Sequence, residues 1–347
     1  MTLQPYLPVV GICGYSGSGK TTLIEQLIPQ FIRDGLAVAV IKHDAHRLEV
    51  DKPGKDSNRF FNAGATVFAH DPSQGFLRFT SRCKPSFNDA IELLLQEHDL
   101  VLVEGHKQTD LPFKLWLRTS ADDSPPADAN NISAQLGPGG HRSDSAYKLI
   151  SDRLASIITK APLRAGILIG GKSSRMGQPK HLISFRGQTW LEYQYSLLSG
   201  FADSVILLGE GEVPASLNNL VRVPDSPGRA GPLAGMLAAM NWDRDSDWLF
   251  VACDMPLITT ESIQWLLDNR TPGFWALMPQ SAVDGHVEPL FSWFSRRMRS
   301  RLLRSDRPVA LAGDINTRLL QLPLHFQQAL SNINTPEGRA SWEADQS

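Results

Sequence analysis

The sequence predicts an α/β protein built from two parallel-sheet units. Three observations predict it. The chain has 347 residues, too many for one ordinary domain and suited to two of about 150–190 residues. Short Val/Ile/Leu runs alternate with helical patterns along its length, as expected of strands covered by helices on both faces. Two glycine-rich segments, each following an apolar run and each carrying a lysine, open the two halves: "GYSGSGKTT" at 14–22 and "ILIGGKSSRMGQPKHL" at 167–182.

The elements follow in order. "PVVGIC" (8–13) reads as a buried strand, and 19–33 as a helix with Leu23, Ile24, Leu27, Ile28 and Phe31 on one face. "LAVAVIKH" is a second strand, "NDAIELLLQEH" a helix, and "DLVLVEG" (99–105) another strand. "SADDSPPADANN" is a loop by composition. "SDSAYKLISDRLASIITK" (143–160) closes the first unit as a helix, with Ser143 or Asp144 as its N-cap. "APLR" is a short joint, which puts the boundary near residue 162 and the domains at 1–162 and 163–347. The alternation then repeats. "AGILIG", "SVILLGE", "DWLFVACD" and "FWALMP" read as strands, with helices at 190–199, 233–240 and 260–268.

Composition limits what the chain can do. With 42% hydrophobic and 20% charged residues and a net charge of −2, there is no bulk attraction to nucleic acid or to an anionic membrane. Any phosphate must therefore be held by local sites. Cys13, Cys83 and Cys253 form no CxxC pair, which fits a reducing compartment better than a disulfide or cysteine–zinc scaffold. The N-terminal residues lack a basic n-region and a long apolar core. Neither a signal peptide nor a membrane span is expected, and the expected location is the cytoplasm.

The first loop fits G-x-x-x-x-G-K-[ST] without mismatch, from Gly14 to Thr21, between a strand and a helix as its mechanism requires. Backbone N–H groups of Gly17, Ser18, Gly19 and Lys20 would wrap a β-phosphate. Lys20 would reach the β/γ oxygens, Thr21 would ligate Mg²⁺, and the helix N-terminus adds a favourable field. Thr22 is either a further nucleotide contact or simply a first-turn residue. Glu104, at the carboxyl end of its strand, stands where a second Mg²⁺-organising carboxylate would sit, or is a solvated loop charge; Asp99 flanks the other end. His43 and His46 read as polar pocket contacts, a structural pair or metal ligands. Lys55, Asp56, Ser57 and Arg59 read as a phosphate-facing loop or a solvated helix start.

"GYSGSGKTT", "IKHDAH", "DKPGKDSNRFFNAGA" and "VEGHK", in that order across 7–160, resemble the molybdopterin-guanine dinucleotide biosynthesis adapter proteins (the MobB family). His106 stands where that family commonly has an aromatic. The resemblance implies a GTP-binding P-loop protein that helps the guanylyltransferase of the same pathway.

The second loop is built differently. Gly170 and Gly171 let the backbone approach a nucleotide closely. Arg175 and Lys180 bring positive charge to a triphosphate, Lys180 against the α-phosphate and Arg175 at the β/γ end. Asp254 ends the apolar run "WLFVAC", where ligand crevices open in parallel sheets. A carboxylate there would hold Mg²⁺ between phosphate oxygens or cap the next helix. Cys253 reads as a buried small apolar residue rather than a nucleophile. With "DSPGRAGPLAGM", "VACDMPL", "GHVEPLFSWF" and "NINTPEG" following in order, residues 163–340 resemble molybdenum cofactor guanylyltransferase (the MobA family).

That resemblance implies a P-loop NTPase-like domain followed by a Rossmann-like nucleotidyltransferase domain. It also implies transfer of GMP from GTP to molybdenum-bound molybdopterin, with Mg²⁺. Leu168, Ile169 and Gly170 would line the base through backbone groups, Asp225 would contact GTP or its metal, and Asn332 and Asn334 would hold the pterin. Ile169 departs from the family's usual alanine, and Gly209 and Glu210 stand where an asparagine is common. Molybdoenzyme apoproteins and other cofactor-biosynthesis proteins are implied as partners; a homo-oligomer is left open. One alternative enzyme would use CTP, although adjacent glycines favour guanine. Another alternative makes the first half purely a module that delivers the pterin or docks a target apoenzyme.

Overall fold

A computed structural model describes residues 3–42, 50–169, 179–185 and 187–330. The chain divides into two compact units, Met1–Leu154 and Ala155–Ser347. Among the described residues no helix is long and apolar enough to cross a membrane.

The first unit runs β1 (Val9–Gly14), α1 (Lys20–Arg33), β2 (Val38–Lys42), α2 (Asp56–Asn62), β3 (Val67–His70), β4 (Gly75–Arg78), α3 (Phe87–Leu95), β5 (Leu100–Glu104), β6 (Lys114–Leu117), β7 (Ala134–Leu136) and the larger part of α4 (Arg142–Lys160), whose last residues fall past Leu154. The main sheet has the order β2-β5-β1-β6-β7 with every pair parallel. β1 lies at its centre, and Val9, Val10, Ile12 and Cys13 are fully buried there. This is why its sequence is apolar without alternation. α1 buries Leu23, Ile24, Leu27 and Phe31 against the sheet, the face that its 3.6-residue period assigns.

Two features differ from the sequence expectation. α4 begins at Arg142, so Ser143 and Asp144 lie inside its first turn and neither is the N-cap. Asp144 still suits that end, because a carboxylate in the first turn meets the positive end of the helix dipole. The second difference is an antiparallel hairpin, β3–β4, outside the main sheet. Its turn is built on Asp71 Oδ1, which accepts from Ser73 N (2.7 Å), Ser73 Oγ (2.7 Å) and Gln74 N (2.9 Å). Asp99 proves structural: it is buried, and its Oδ2 accepts from Ala37 N at 2.9 Å.

The second unit runs β8 (Leu163–Leu168), β9 (Ser184–Phe185), β10 (Gln188–Thr189), α5 (Trp190–Leu198), β11 (Ser204–Leu208), β12 (Arg222–Val223), α6 (Pro232–Trp242), β13 (Asp247–Ala252), α7 (Thr260–Asp268), β14 (Ala276–Gln280), β15 (Phe291–Phe294), α8 (Arg299–Arg304) and β16 (Thr317–Gln321). The large sheet has the order β12-β11-β8-β13-β15-β14-β16. β12, β11, β8 and β13 are mutually parallel. From β8 the chain winds outward through β11 to β12, then returns to the other side of β8 as β13. The crevice at the carboxyl ends of β8 and β13 is therefore a topological switch point, where such sheets bind ligands.

β15 is antiparallel to both of its neighbours. Only residues 281–290 join it to β14, and a parallel return needs a crossover of a dozen or more residues. α6 is buried from Leu233 to Met240 on all sides, as expected of a helix apolar around its circumference.

Candidate functional site

The first site is the turn from β1 into α1. Gly17 and Gly19 have φ of 75° and 85°, the left-handed region that glycine occupies without strain. Gly19 caps α1 with no side-chain hydrogen bond. The first intrahelical bond is Leu23 N to Gly19 O at 2.9 Å, so the N–H groups of Lys20, Thr21 and Thr22 have no acceptor within the helix. A helix start of this kind suits an anion. Lys20 Nζ is held at the loop by Gly14 O (3.2 Å) and Tyr15 O (2.9 Å).

Thr21 Oγ1 donates to Glu104 Oε1 at 2.8 Å. The hydroxyl read as a Mg²⁺ ligand and the carboxylate at the end of β5 thus meet, and two hard oxygens fit that ion. Ser18 is buried with its Oγ unpartnered among the described residues. Its carbonyl accepts from Arg142 Nη1 at 2.7 Å. Arg142 is a residue the sequence did not mark. Its guanidinium also donates to Gly137 O and Arg118 O, so one side chain fixes three loops.

Below the loop, Lys114 is fully buried at the head of β6. Its Nζ donates to Lys107 O (2.9 Å) and Thr109 O (2.7 Å), shaping the segment after Glu104. Burial holds its pKa below the ordinary lysine value. Arg59 pairs with Asp56 at 3.4 Å on the exposed start of α2. His43 and His46 lie outside the described residues.

The second site is a cavity of about 810 Å³ at the switch point, lined by Leu168, Ile169, Lys180, Asp225, Arg229 and Asp254 among others. Lys180, on a single 3₁₀ turn (Lys180–Leu182), donates to Asp254 Oδ2 at 2.7 Å. Asp254 Oδ1 has no partner among the described residues. With Asp225 on the same cavity, the carboxylate oxygens suit Mg²⁺. Burial, and then Glu210, push the Asp225 carboxyl above its usual value. Cys253 is buried and its thiol is pushed up to about 12, chiefly by that burial, so it is no nucleophile.

Sequence reasoning missed three contributors. Arg229 lines the cavity and is anchored on Leu303 O (2.8 Å) and Ser305 O (3.2 Å). Gln194, buried on α5, donates to Ala252 O (2.8 Å) and Met255 O (3.3 Å), clasping the turn that carries Asp254. His181 is buried beside Lys180 and bonds Glu212 O at 2.7 Å. α6 also opens at the cavity, through Gly231 and Pro232 with no side-chain cap. The "RAGP" run at 229–232 was the available signal for Arg229 and for this helix start.

Ile169 N donates to Leu208 O (3.0 Å) and Leu168 O accepts from Cys253 N (3.1 Å). Those backbone groups are thus engaged with neighbouring strands, although a carbonyl keeps a second lone pair. Gly170, Gly171, Arg175, Asn332 and Asn334 lie outside the described residues.

Two family models match this chain. Residues 9–134 match molybdopterin guanine dinucleotide synthesis protein B, and residues 165–318 match the MobA-like NTP transferase domain. A molybdopterin-guanine dinucleotide biosynthesis adapter protein of Haemophilus influenzae is 45% identical over 113 residues, 30% of this chain and 61% of that protein. A molybdenum cofactor biosynthesis bifunctional protein of Synechocystis is 27% identical over 187 residues, 52% of this chain and 53% of that protein. A probable molybdenum cofactor guanylyltransferase of Bacillus cereus is 30% identical over 142 residues, 39% of this chain and 70% of that protein. The chain therefore spans between half and two thirds of the first two relatives.

Fold and sites together define a P-loop nucleotide-binding unit followed by a nucleotidyltransferase unit. The chain belongs to the molybdenum cofactor guanylyltransferase family, and it carries a MobB domain ahead of its transferase domain.

Proposed function

We propose that residues 163–347 transfer GMP from GTP to molybdenum-bound molybdopterin, and that residues 1–162 bind GTP and assist. The observation that carries this reading is the cavity at the switch point, where Lys180, Asp254, Asp225 and Arg229 converge. An oxygen of the pterin's terminal phosphate attacks the α-phosphorus of GTP. A new P–O bond forms, the bond to the β-bridging oxygen breaks, and pyrophosphate leaves.

Such a transfer asks mainly for positioning and charge neutralisation. Lys180 is set to meet the α-phosphate, and its pairing with Asp254 fixes the ammonium before substrate arrives. Arg229 and the uncapped start of α6 favour anionic oxygens across the cavity. Mg²⁺ held by Asp254 and Asp225 would neutralise charge on the phosphate oxygens. Leu168 and Leu208 give the cavity an apolar wall that strengthens these interactions by excluding water.

The test incubates the purified protein with Mg²⁺, molybdenum-bound molybdopterin and each nucleoside triphosphate, and identifies the dinucleotide by mass. The guanine dinucleotide from GTP is expected. A cytosine dinucleotide from CTP, with none from GTP, would overturn the guanylyl assignment.

A further inference from the structure

Among the described residues Lys114 is the only acidic or basic side chain with no exposure to solvent at all. Taking an ammonium out of water is costly, and the usual compensation is a carboxylate. Lys114 has no carboxylate partner among the described residues; its Nζ donates instead to Lys107 O (2.9 Å) and Thr109 O (2.7 Å). We propose that Lys114 is a positioning residue for the metal site of the first unit: it locks the 105–109 turn that leaves β5, and through that turn holds Glu104 where Mg²⁺ needs it. The proposal rests on the reading of the first unit as a nucleotide- and Mg²⁺-binding domain.

The sheet makes room for this side chain. Lys114 pairs with Gly11 across β1 and β6. A Cβ on Gly11 would lie 2.7 Å from Lys114 Cγ and 2.8 Å from Leu111 Cδ1, so the lysine stem crosses β1 in space that only glycine leaves open. A methionine would fill that space without a charge. Packing therefore accounts for the stem, and only the two acceptors account for the ammonium. Both acceptors belong to one short turn, and that turn needs holding. Gly105 and His106 have φ of 84° and 58°. For histidine the left-handed region costs free energy, so its surroundings must over-determine it. Gly105 N donates to Ile12 O, and Cys13 Sγ donates to Gly105 O, both at 2.9 Å. His106 stacks on Phe87 with ring centroids 4.3 Å apart, and Thr109 N donates to His106 O at 3.1 Å. Lys114 then ties down the carbonyls of Lys107 and Thr109.

Glu104 stands at the head of this turn. Its Oε1 accepts from Thr21 Oγ1 at 2.8 Å, so hydroxyl and carboxylate share one place for a divalent ion. A turn free to relax would let the end of β5, and with it that carboxylate, shift. Groups one step behind the metal-organising residues commonly carry much of a site's affinity in this way. The hydrogen bonds of the ammonium go to the turn and none to the phosphate loop. Lys114 thus acts through Glu104 and is not itself a catalytic group.

The full chain is titrated calorimetrically with the β,γ-imido analogue of GTP over a range of Mg²⁺ concentrations. The first-loop component is defined as the binding lost in Lys20→Ala. Lys114→Met keeps the stem and removes the ammonium. It should raise the Mg²⁺ midpoint of that component about tenfold and leave the metal-free affinity unchanged. Glu104→Gln should raise the midpoint as well, and Lys114→Met should add nothing in the Glu104→Gln background, because both act by one route. A purely structural role predicts a lower metal-free affinity and the same effect of Lys114→Met in both backgrounds. That pattern would overturn the proposal, as would an unchanged Mg²⁺ midpoint in Lys114→Met. Lys114→Gln, which keeps a donor, is measured by the same criteria if Lys114→Met does not fold. Unfolding of both would overturn the proposal too, by making Lys114 a folding residue. If Glu104→Gln leaves the midpoint unchanged, or Lys20→Ala removes no component, the metal or nucleotide reading of the first unit falls, and this proposal with it.

Discussion

Lys180 and Asp254 stand 2.7 Å apart, so a substitution at either one changes both. Asp254→Asn is nearly isosteric and creates no cavity, but it weakens a Mg²⁺ ligand and releases the lysine. Turnover should fall by about 10²–10³, the usual loss when one electrostatic contact to a transition state is removed. The melting temperature should barely move, and added Mg²⁺ should recover part of the activity. Normal turnover at low Mg²⁺ would reduce Asp254 to a structural residue. The neighbouring His181 gives a pH signature. Burial holds its pKa below the ordinary 6.5, with the Glu212 carbonyl opposing and Arg222 adding to the effect. The unfolded chain then binds a proton that the folded chain refuses, so stability should decline as pH falls below about 6.5. His181→Gln keeps a donor for Glu212 O and should flatten that decline, as read by thermal melts between pH 7.5 and 5.5. Neither the lysine–aspartate pair nor the histidine's burial is local information. The motifs marked Lys180 and Asp254, but their contact joins positions 74 residues apart.

Among the elements, α5 links the two loops of the transferase site. Thr189 caps it reciprocally: its Oγ1 accepts from Glu192 N (3.2 Å), and Glu192 Oε2 accepts from Thr189 N (2.7 Å). Thr189→Ala should cost about 1 kcal/mol, seen as a lower urea midpoint, with a smaller loss of turnover because Gln194 rides on this helix. An unchanged midpoint would show that packing of Trp190 and Leu191 alone holds the helix start. The sequence made α1, α3, α5, α6 and α7 legible within a few residues, as well as the central strands β1, β5, β8 and β13, because buried apolar periodicity is a local signal. It did not show β3, β4, β15 or β16. Their residues are few, and their pairing is decided by connection length and by neighbours distant in sequence. The phosphate loop was legible as a complete motif. Arg142 was not, since its role depends on three carbonyls from other segments.

Across the whole molecule, each nucleotide site draws its described residues from one unit. Lys20→Ala in the full chain should therefore abolish nucleotide binding at the first loop while dinucleotide synthesis with saturating GTP continues. Loss of all transfer in a protein that still melts normally would show that the first unit contributes to the reaction itself. The same separation holds for the sheets: among the described residues no strand is exchanged between the halves. A ribosome releasing this chain emits β1 to β7, and with them every partner that β1 needs, before β8 is made. The nucleotide-binding half can reach its native sheet while the transferase half is still being translated. No strand described in the second unit pairs with that sheet, so its strand pairing waits for nothing made later.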